Sequence, residues 1–399
     1  MSKRILYFQY GAGIDGSGGS LLKILRAADG QNLLPLVVLH GSGPLADQLQ
    51  KMEIAVDIAP SINLFGNDSG FSFPWWHRSY WSAFLRYGAT IRTAQALIKK
   101  HKPDLIHINN LPLVPVAIAA RQAGIPVILH VREYPLHGCL GLRRKLVTRM
   151  VQKSVDLIIG ICQAGLDAGR FRGVKQNVIY NWISWARNPC EDPCFARKTL
   201  GFSKDESVLL FMGGESSIKG GDWLLHALSR LPSNRAWKLI WLGSLMKSHY
   251  WRDRKYKKRL TRLMKQRASR ILRIDESCDV TPYLRACDFL VAPHRIPHFA
   301  NPVVEAAWYG CPSIMTNDAV GRELIEDGHT GLLFRSGDVV DLSVKMESLI
   351  MRPEWCRQLG QAAQRRSFEI FNEERNISQL LLAYEHLLNP STRGGRTCP

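Results

Sequence analysis

Ile5-Leu6-Tyr7-Phe8-Gln9-Tyr10-Gly11-Ala12-Gly13-Ile14-Asp15-Gly16-Ser17-Gly18-Gly19 runs from a short apolar stretch through a glycine-rich turn into an amphipathic segment at residues 21–28. A brief β-branched or aromatic run, then glycine, then helical periodicity is how a parallel α/β sheet begins. The unit repeats. Apolar runs at residues 34–39, 54–58, 105–108, 127–131, 157–161 and 178–180 read as further strands, with helix-like stretches such as residues 94–100 between them. Strands that are apolar on both faces and separated by helices predict a parallel sheet covered on both sides.

The pattern breaks at residues 182–193, where Asn188-Pro189 and Asp192-Pro193 supply turn and linker chemistry. A second series follows, with strands predicted at residues 208–211, 239–242, 271–274, 289–292 and 313–315. The fold class expected is therefore α/β, two Rossmann-like parallel-sheet domains facing each other across a cleft. Residues 1–187 are expected to form the N-terminal domain and residues 188–372 the C-terminal domain. A helix at 373–390 is expected to pack back toward the N-terminal domain, and 391–399 form a tail. Ligands collect at the carboxyl ends of parallel strands, so the cleft is the expected site.

The chain has 399 residues, 46% hydrophobic and 22% charged, ordinary values for a protein with a real core. They exclude fibrous, collagen-like and wholly disordered classes. The longest nearly unbroken apolar run, residues 111–120, holds Pro112 and Pro115 and is shorter than the ~20 residues of a membrane span. Lys3 and Arg4 precede too short an apolar run for a signal-peptide core. Cys162, Cys287 and Cys311 lie in apolar stretches, as reduced core residues do. A cytoplasmic protein is expected. Lys and Arg number 53 against 34 Asp and Glu, a net charge of +19, which favours anionic partners: a phosphorylated ligand, nucleic acid, or the inner face of a membrane.

Gly11, Gly13 and Gly16 satisfy the dinucleotide fingerprint, and glycines there let backbone amides approach a phosphate at a helix N-terminus. The second strand, however, ends Val38-Leu39-His40-Gly41 without the carboxylate that holds a dinucleotide ribose. An anion-facing loop or a plain strand–helix turn remain the two readings. In the second half, Met212-Gly213-Gly214 leads through Ser216-Ser217-Ile218-Lys219-Gly220 into an apolar helix. Lys219 is placed to reach a diphosphate as a point charge, or is simply solvated. Further on, Pro293-His294-Arg295-Ile296-Pro297-His298-Phe299-Ala300-Asn301-Pro302-Val303-Val304-Glu305 opens another helix. Asn301 is its expected cap, and Glu305 falls in its first turn, where it either accepts from ribose hydroxyls or complements the helix dipole.

Together with Gly310-Cys311-Pro312, Glu323-Leu324-Ile325-Glu326-Asp327-Gly328 and Thr330-Gly331-Leu332-Leu333, this run resembles the donor-binding half of the family-4 glycosyltransferases. Pro282-Tyr283-Leu284, Ala286-Cys287-Asp288, Pro103-Asp104-Leu105-Ile106-His107, Ser154-Val155-Asp156-Leu157-Ile158 and Asn181 extend the likeness over nearly the whole chain. The resemblance implies the GT-B fold and retaining transfer from a nucleoside diphosphate sugar, without a resident cofactor or a metal. It implies that Glu305 binds the nucleotide ribose and Lys219, beside Gly213, the diphosphate. It places Gly18 and Gly19 toward donor phosphates and acceptor, and the amides of Asn301, Val303 and Val304 against diphosphate or sugar. Arg132, with Glu133, stands where the family often has histidine and aspartate, and is the second candidate catalytic residue. Two further departures are Pro297 for the first glutamate of the family's pair and Gly214 for its usual arginine.

The acceptor implied is a glycan or lipid-linked oligosaccharide, in cell-surface polysaccharide or glycolipid synthesis. An aromatic stripe (Trp76, Tyr80, Phe84, Tyr87) reads as core, membrane-facing helix or acceptor wall. Twelve Lys and Arg between residues 247 and 273 form a solvated face or one for anionic lipid. That run lacks the interleaved aromatics of single-strand binding, so no nucleic acid is expected. A catalytically silent relative, an epimerase and a binder of anionic polymers are the rival readings. Cys190 and Cys194 lack a second ligand pair at zinc spacing.

Overall fold

The computed structural model describes residues 2–14, 16–65, 78–135, 141–184, 192–232, 234, 236–243, 251–275 and 279–389, with the side chains of 78–85, 142–143 and 251–253 left aside. The chain forms two compact units, residues 1–181 with 373–399, and residues 182–372. In the first unit, β1 (Lys3–Gln9), β2 (Leu33–Leu39), β3 (Ala55–Ile58), β4 (Leu105–Ile108), β5 (Val127–Val131), β6 (Leu157–Gly160) and β7 (Lys175–Val178) make one sheet ordered β3-β2-β1-β4-β5-β6-β7. Every pair in it is parallel. The central strands are closed to water on both faces, which is why they read as unbroken apolar runs. Their outward sides meet helices that contribute Ala94, Ile98, Val116, Ala120 and Val151 to the core.

The second unit repeats the plan with β8 (Ser207–Phe211), β9 (Trp237–Leu242), β10 (Ile271–Ile274), β11 (Phe289–Ala292), β12 (Ser313–Thr316) and β13 (Gly331–Phe334), ordered β10-β9-β8-β11-β12-β13. Its pairs are parallel as well. Trp241 is fully buried and packs on Phe211 at a ring-centroid distance of 4.3 Å. In each sheet the strand order reverses once, between β1 and β4 and between β8 and β11, and such switch points open a crevice at the strands' carboxyl ends.

Two strand expectations need correction. The last strand of the first sheet is Lys175–Val178, not residues 178–180, because an edge strand with exposed Lys175 and Gln176 carries little apolar signal. The second sheet also has β13, whose Gly331 start hid it from periodicity. Among the described residues no helix is long and apolar enough to cross a membrane.

Candidate functional site

Lys219 ends a 3-10 turn, Ser217–Lys219, behind β8. Gly220 then takes a left-handed conformation at φ 69°, and a Cβ there would come within 1.8 Å of the Pro293 carbonyl oxygen. Only glycine lets this loop rest on the segment leaving β11, where the Arg295 N–H also donates to the Ile218 carbonyl at 2.9 Å. The lysine is thereby pressed toward His294 and His298, whose rings meet edge-to-face at 5.4 Å. Burial, with the Lys219 charge beside it, pulls His298 down to about 3, so its imidazole is neutral. His294 is held neutral by the same causes. Lys219 is itself drawn down by burial to about 8, and its ammonium makes no hydrogen bond or ion pair among the described residues.

The carboxylates nearby are already occupied. Asp222, 1% exposed, takes both oxygens to Arg295 Nη2 at 2.6 Å, with Arg259 at 3.5 Å. Arg295 also lies 4.3 Å over the Trp223 ring. Glu215, buried next to the glycine turn, meets Arg273 at 3.2 Å and Lys257 at 3.5 Å. Part of the basic run is thus bound to buried acids, while Tyr256, Leu260, Leu263 and Met264 of helix Trp251–Lys265 face the core.

The helix after β11 is Asn301–Trp308. Its cap is Ala300, not Asn301, because the Ala300 carbonyl already accepts from the N–H groups of Val303 at 2.9 Å and Val304 at 3.4 Å. Two expectations change. Glu305 is the fifth helical residue, half-buried and one turn inside, where the dipole field has weakened. Val303 and Val304 bury their side chains and spend their amides on the turn, so they shape the helix start. Gly213 lies against Lys219, and a Cβ added to the glycine would come 2.8 Å from the lysine's own Cβ.

In the first unit, Gly18 and Gly19 sit inside helix Gly16–Ala28, not in the loop before it. A Cβ on Gly18 would lie 2.0 Å from the Gly13 carbonyl oxygen, so the glycine is needed for the loop to fold over the helix start. Arg132, just past β5, donates from Nε to Asn109 Oδ1 at 2.8 Å and from Nη1 to Asn181 Oδ1 at 3.0 Å. Asn109 Nδ2 in turn donates to Gln9 Oε1 at 2.6 Å and to the Ser17 carbonyl at 3.1 Å, which ties the arginine to the glycine loop. Burial lowers Arg132 to about 10, and it stays charged at neutral pH. Glu133 turns away to receive Asn110 Nδ2 at 2.7 Å and the Leu111 N–H at 3.2 Å.

Sequence reasoning did not single out Tyr7, His107, His130, Tyr384, Asn109, Asp222 or Glu215. His107 and His130 were detectable as lone polar residues inside fully buried apolar strands. Of the aromatic stripe, Tyr87 packs on Phe65 at 5.3 Å, while Trp76, Tyr80 and Phe84 lie outside the described side chains, as does Cys190. Among the described residues no group of three or more His, Cys, Asp and Glu is arranged to hold a metal.

Two family models match the chain: "Glycosyl transferase 4-like domain" over residues 64–182 and "Glycosyl transferases group 1" over residues 206–352. The chain belongs to the group 1, family-4-like glycosyltransferases and has their GT-B fold. It is 24% identical over 373 residues to the D-inositol 3-phosphate glycosyltransferase of Frankia alni, covering 86% of this chain and 88% of that one. It is 28% identical over 222 residues to the lipopolysaccharide core biosynthesis mannosyltransferase LpsB of Rhizobium meliloti, 54% of this chain and 62% of that one. Among solved structures, Anabaena Alr3699/HepE in complex with UDP and glucose superposes with a TM-score of 0.77 at 20% identity, over 96% of this chain and 99% of that one. WaaG, a glycosyltransferase involved in lipopolysaccharide biosynthesis, gives 0.70 at 14% identity, over 94% and 99%.

Proposed function

We propose that this glycosyltransferase moves a sugar, with retention, from a nucleoside diphosphate sugar to a glycan or lipid-linked acceptor in cell-surface polysaccharide or glycolipid synthesis. The observation that carries the donor assignment is Lys219: a half-buried cation behind a glycine turn, facing two neutral imidazoles and without a partner among the described residues. A buried charge without a partner is unfavourable, and an anionic ligand is what would relieve it. As the sugar–phosphate bond breaks and the sugar becomes oxocarbenium-like, negative charge grows on the departing diphosphate. Lys219, fixed in place beforehand, stabilises that charge without reorganising. Glu305 receives the ribose hydroxyls, Asn301 and Gly213 border the phosphates, Gly18 and Gly19 face the donor phosphates and the acceptor, and Arg132 serves the reacting sugar. UDP is the first nucleotide to test, since the superposing HepE structure was obtained with UDP and glucose. The reading needs no resident metal or cofactor.

The test is thermal unfolding with UDP, GDP, ADP and NAD, on wild type, Lys219→Ala and Glu305→Ala. A ligand at 100 times its Kd stabilises by about 2.7 kcal/mol. One diphosphate should raise the midpoint, and both substitutions should abolish the rise. No shift with any nucleotide would sink the donor assignment.

A further inference from the structure

Tyr7, His107, His130 and Tyr384 are all buried to 2% exposure or less, yet each carries polar atoms. Tyr7 and His107 lie directly opposite on β1 and β4, His130 sits on the neighbouring β5, and Tyr384 reaches them from helix Glu373–Leu388. Tyr7 Oη donates to Tyr384 Oη at 3.2 Å. Tyr384 Oη and His107 Nδ1 are 2.8 Å apart. His107 Nε2 and His130 Nδ1 follow at 3.3 Å, and Arg132 Nη2 closes the series on His130 Nδ1 at 3.4 Å.

Only one placement of hydrogens makes every contact of this series a hydrogen bond, and it leaves the buried Nε2–H of His130 without a partner among the described residues. A guanidinium has no acceptor, so His130 Nδ1 must be a bare lone pair. The same lone pair faces His107 Nε2, which therefore carries the hydrogen. His107 Nδ1 is then the acceptor for the Tyr384 hydroxyl. Burial, with Arg132 nearby, pulls His107 down to about 3 and keeps both rings neutral, as the placement requires. A neutral ring's tautomer is set by the hydrogen bond its other nitrogen makes.

We propose that Tyr384 is a positioning residue for sugar transfer, which through the tautomers of His107 and His130 fixes the guanidinium of Arg132. This rests on the reading that Arg132 serves the substrate. Removing the Tyr384 hydroxyl frees His107 to carry its hydrogen on Nδ1. Two lone pairs would then face each other between the rings, and His130 could relieve this only by protonating the nitrogen that Arg132 needs.

The experiment uses the full chain, with nitrogen-15 imidazole NMR and steady-state transfer kinetics on wild type, Tyr384→Phe, Tyr7→Phe and Arg132→Lys. Wild type should show both rings as neutral Nε2–H tautomers. Tyr384→Phe should shift the His107 signals and lower kcat about tenfold, with the nucleotide-sugar KM within about twofold. Tyr7→Phe, which removes a buried hydroxyl that does not touch His107, should leave tautomers and kcat unchanged. An Nδ1–H or doubly protonated ring in wild type overturns the proposal, as does Tyr384→Phe with wild-type signals and kcat. Should Tyr384→Phe fail to fold, His130→Gln takes its place, and an unchanged kcat there is equally fatal. An Arg132→Lys chain as active as wild type would overturn the role of Arg132 and the proposal with it, while leaving the Lys219 donor site standing.

Discussion

Arg132 in the first unit and Lys219 in the second are both partly buried cations at the carboxyl ends of central strands, and their surroundings are opposite. Arg132 is held by Asn109, Asn181 and His130. Lys219 has glycine beside it, neutral histidines before it, and no partner of its own among the described residues. A cation held by three neighbours is fixed in place before substrate arrives and keeps two of its five N–H groups to meet it. One without such neighbours is held at a cost to folding, and that cost is recovered when an anion arrives. The difference separates a residue that is positioned from one that waits for ligand.

The strongest way to break this contrast is Lys219→Met. Losing a preorganised cation at a leaving group lowers kcat by about 10²-fold or more. The same change should leave the ligand-free protein equally or more stable, because it deletes a half-buried charge that has no partner among the described residues. Loss of both transfer activity and denaturant midpoint would show that Lys219 is structural after all. Arg132→Met should behave in reverse. It strips donors from Asn109 and Asn181, so unfolding free energy should drop by about 1–3 kcal/mol in urea titration. An unchanged midpoint would mean that the arginine is no part of the scaffold.

The contrast also sets opposite pH slopes. Folding lowers Lys219 from 10.5 to about 8. Between those values the unfolded chain holds the proton and the folded one has lost it, so ligand-free stability rises with pH across that window. Nucleotide affinity needs the charged lysine and falls as pH climbs through about 8, by up to about tenfold per unit. Calorimetric titration with UDP at pH 7 and pH 9 beside melting curves checks both. Parallel slopes would contradict an unpaired Lys219.

Much of this was legible in the sequence. The two sheets follow from apolar runs at helical separations, because burial on both faces leaves nothing polar in most of the central strands. Lys219 and Glu305 are singled out in the sequence by the family resemblance, with glycine and proline marking where the segments that carry them begin. Hidden were the partners that decide what each cation does. Tyr384 lies some 250 residues from Arg132, and no local pattern records that they share a hydrogen-bonded series. The helix start at Ala300 was missed because proline and asparagine imitate a cap one residue later. The carbonyl that takes the first two amides decides it instead.

The smallest predicted effect extends the contrast to helix Trp251–Lys265. Lys257 reaches buried Glu215 at 3.5 Å, whereas Lys258, Arg254 and Arg262 are exposed to solvent. Lys257→Gln should cost less than about 1 kcal/mol, since the pair is half-exposed and Arg273 still holds the carboxylate at 3.2 Å. Lys258→Gln should change stability by no more than about 0.5 kcal/mol. If an anionic membrane surface is the partner of this face, the order inverts in a second measurement. Sedimentation with phosphatidylserine vesicles should then weaken for Lys258→Gln, by about 1 kcal/mol per charge, and hardly at all for Lys257→Gln. Equal weakening by both would mean that the ion pair with Glu215 does not outlast contact with the bilayer. No binding by wild type would leave the exposed stripe as a solvated face, with its excess charge serving solubility alone.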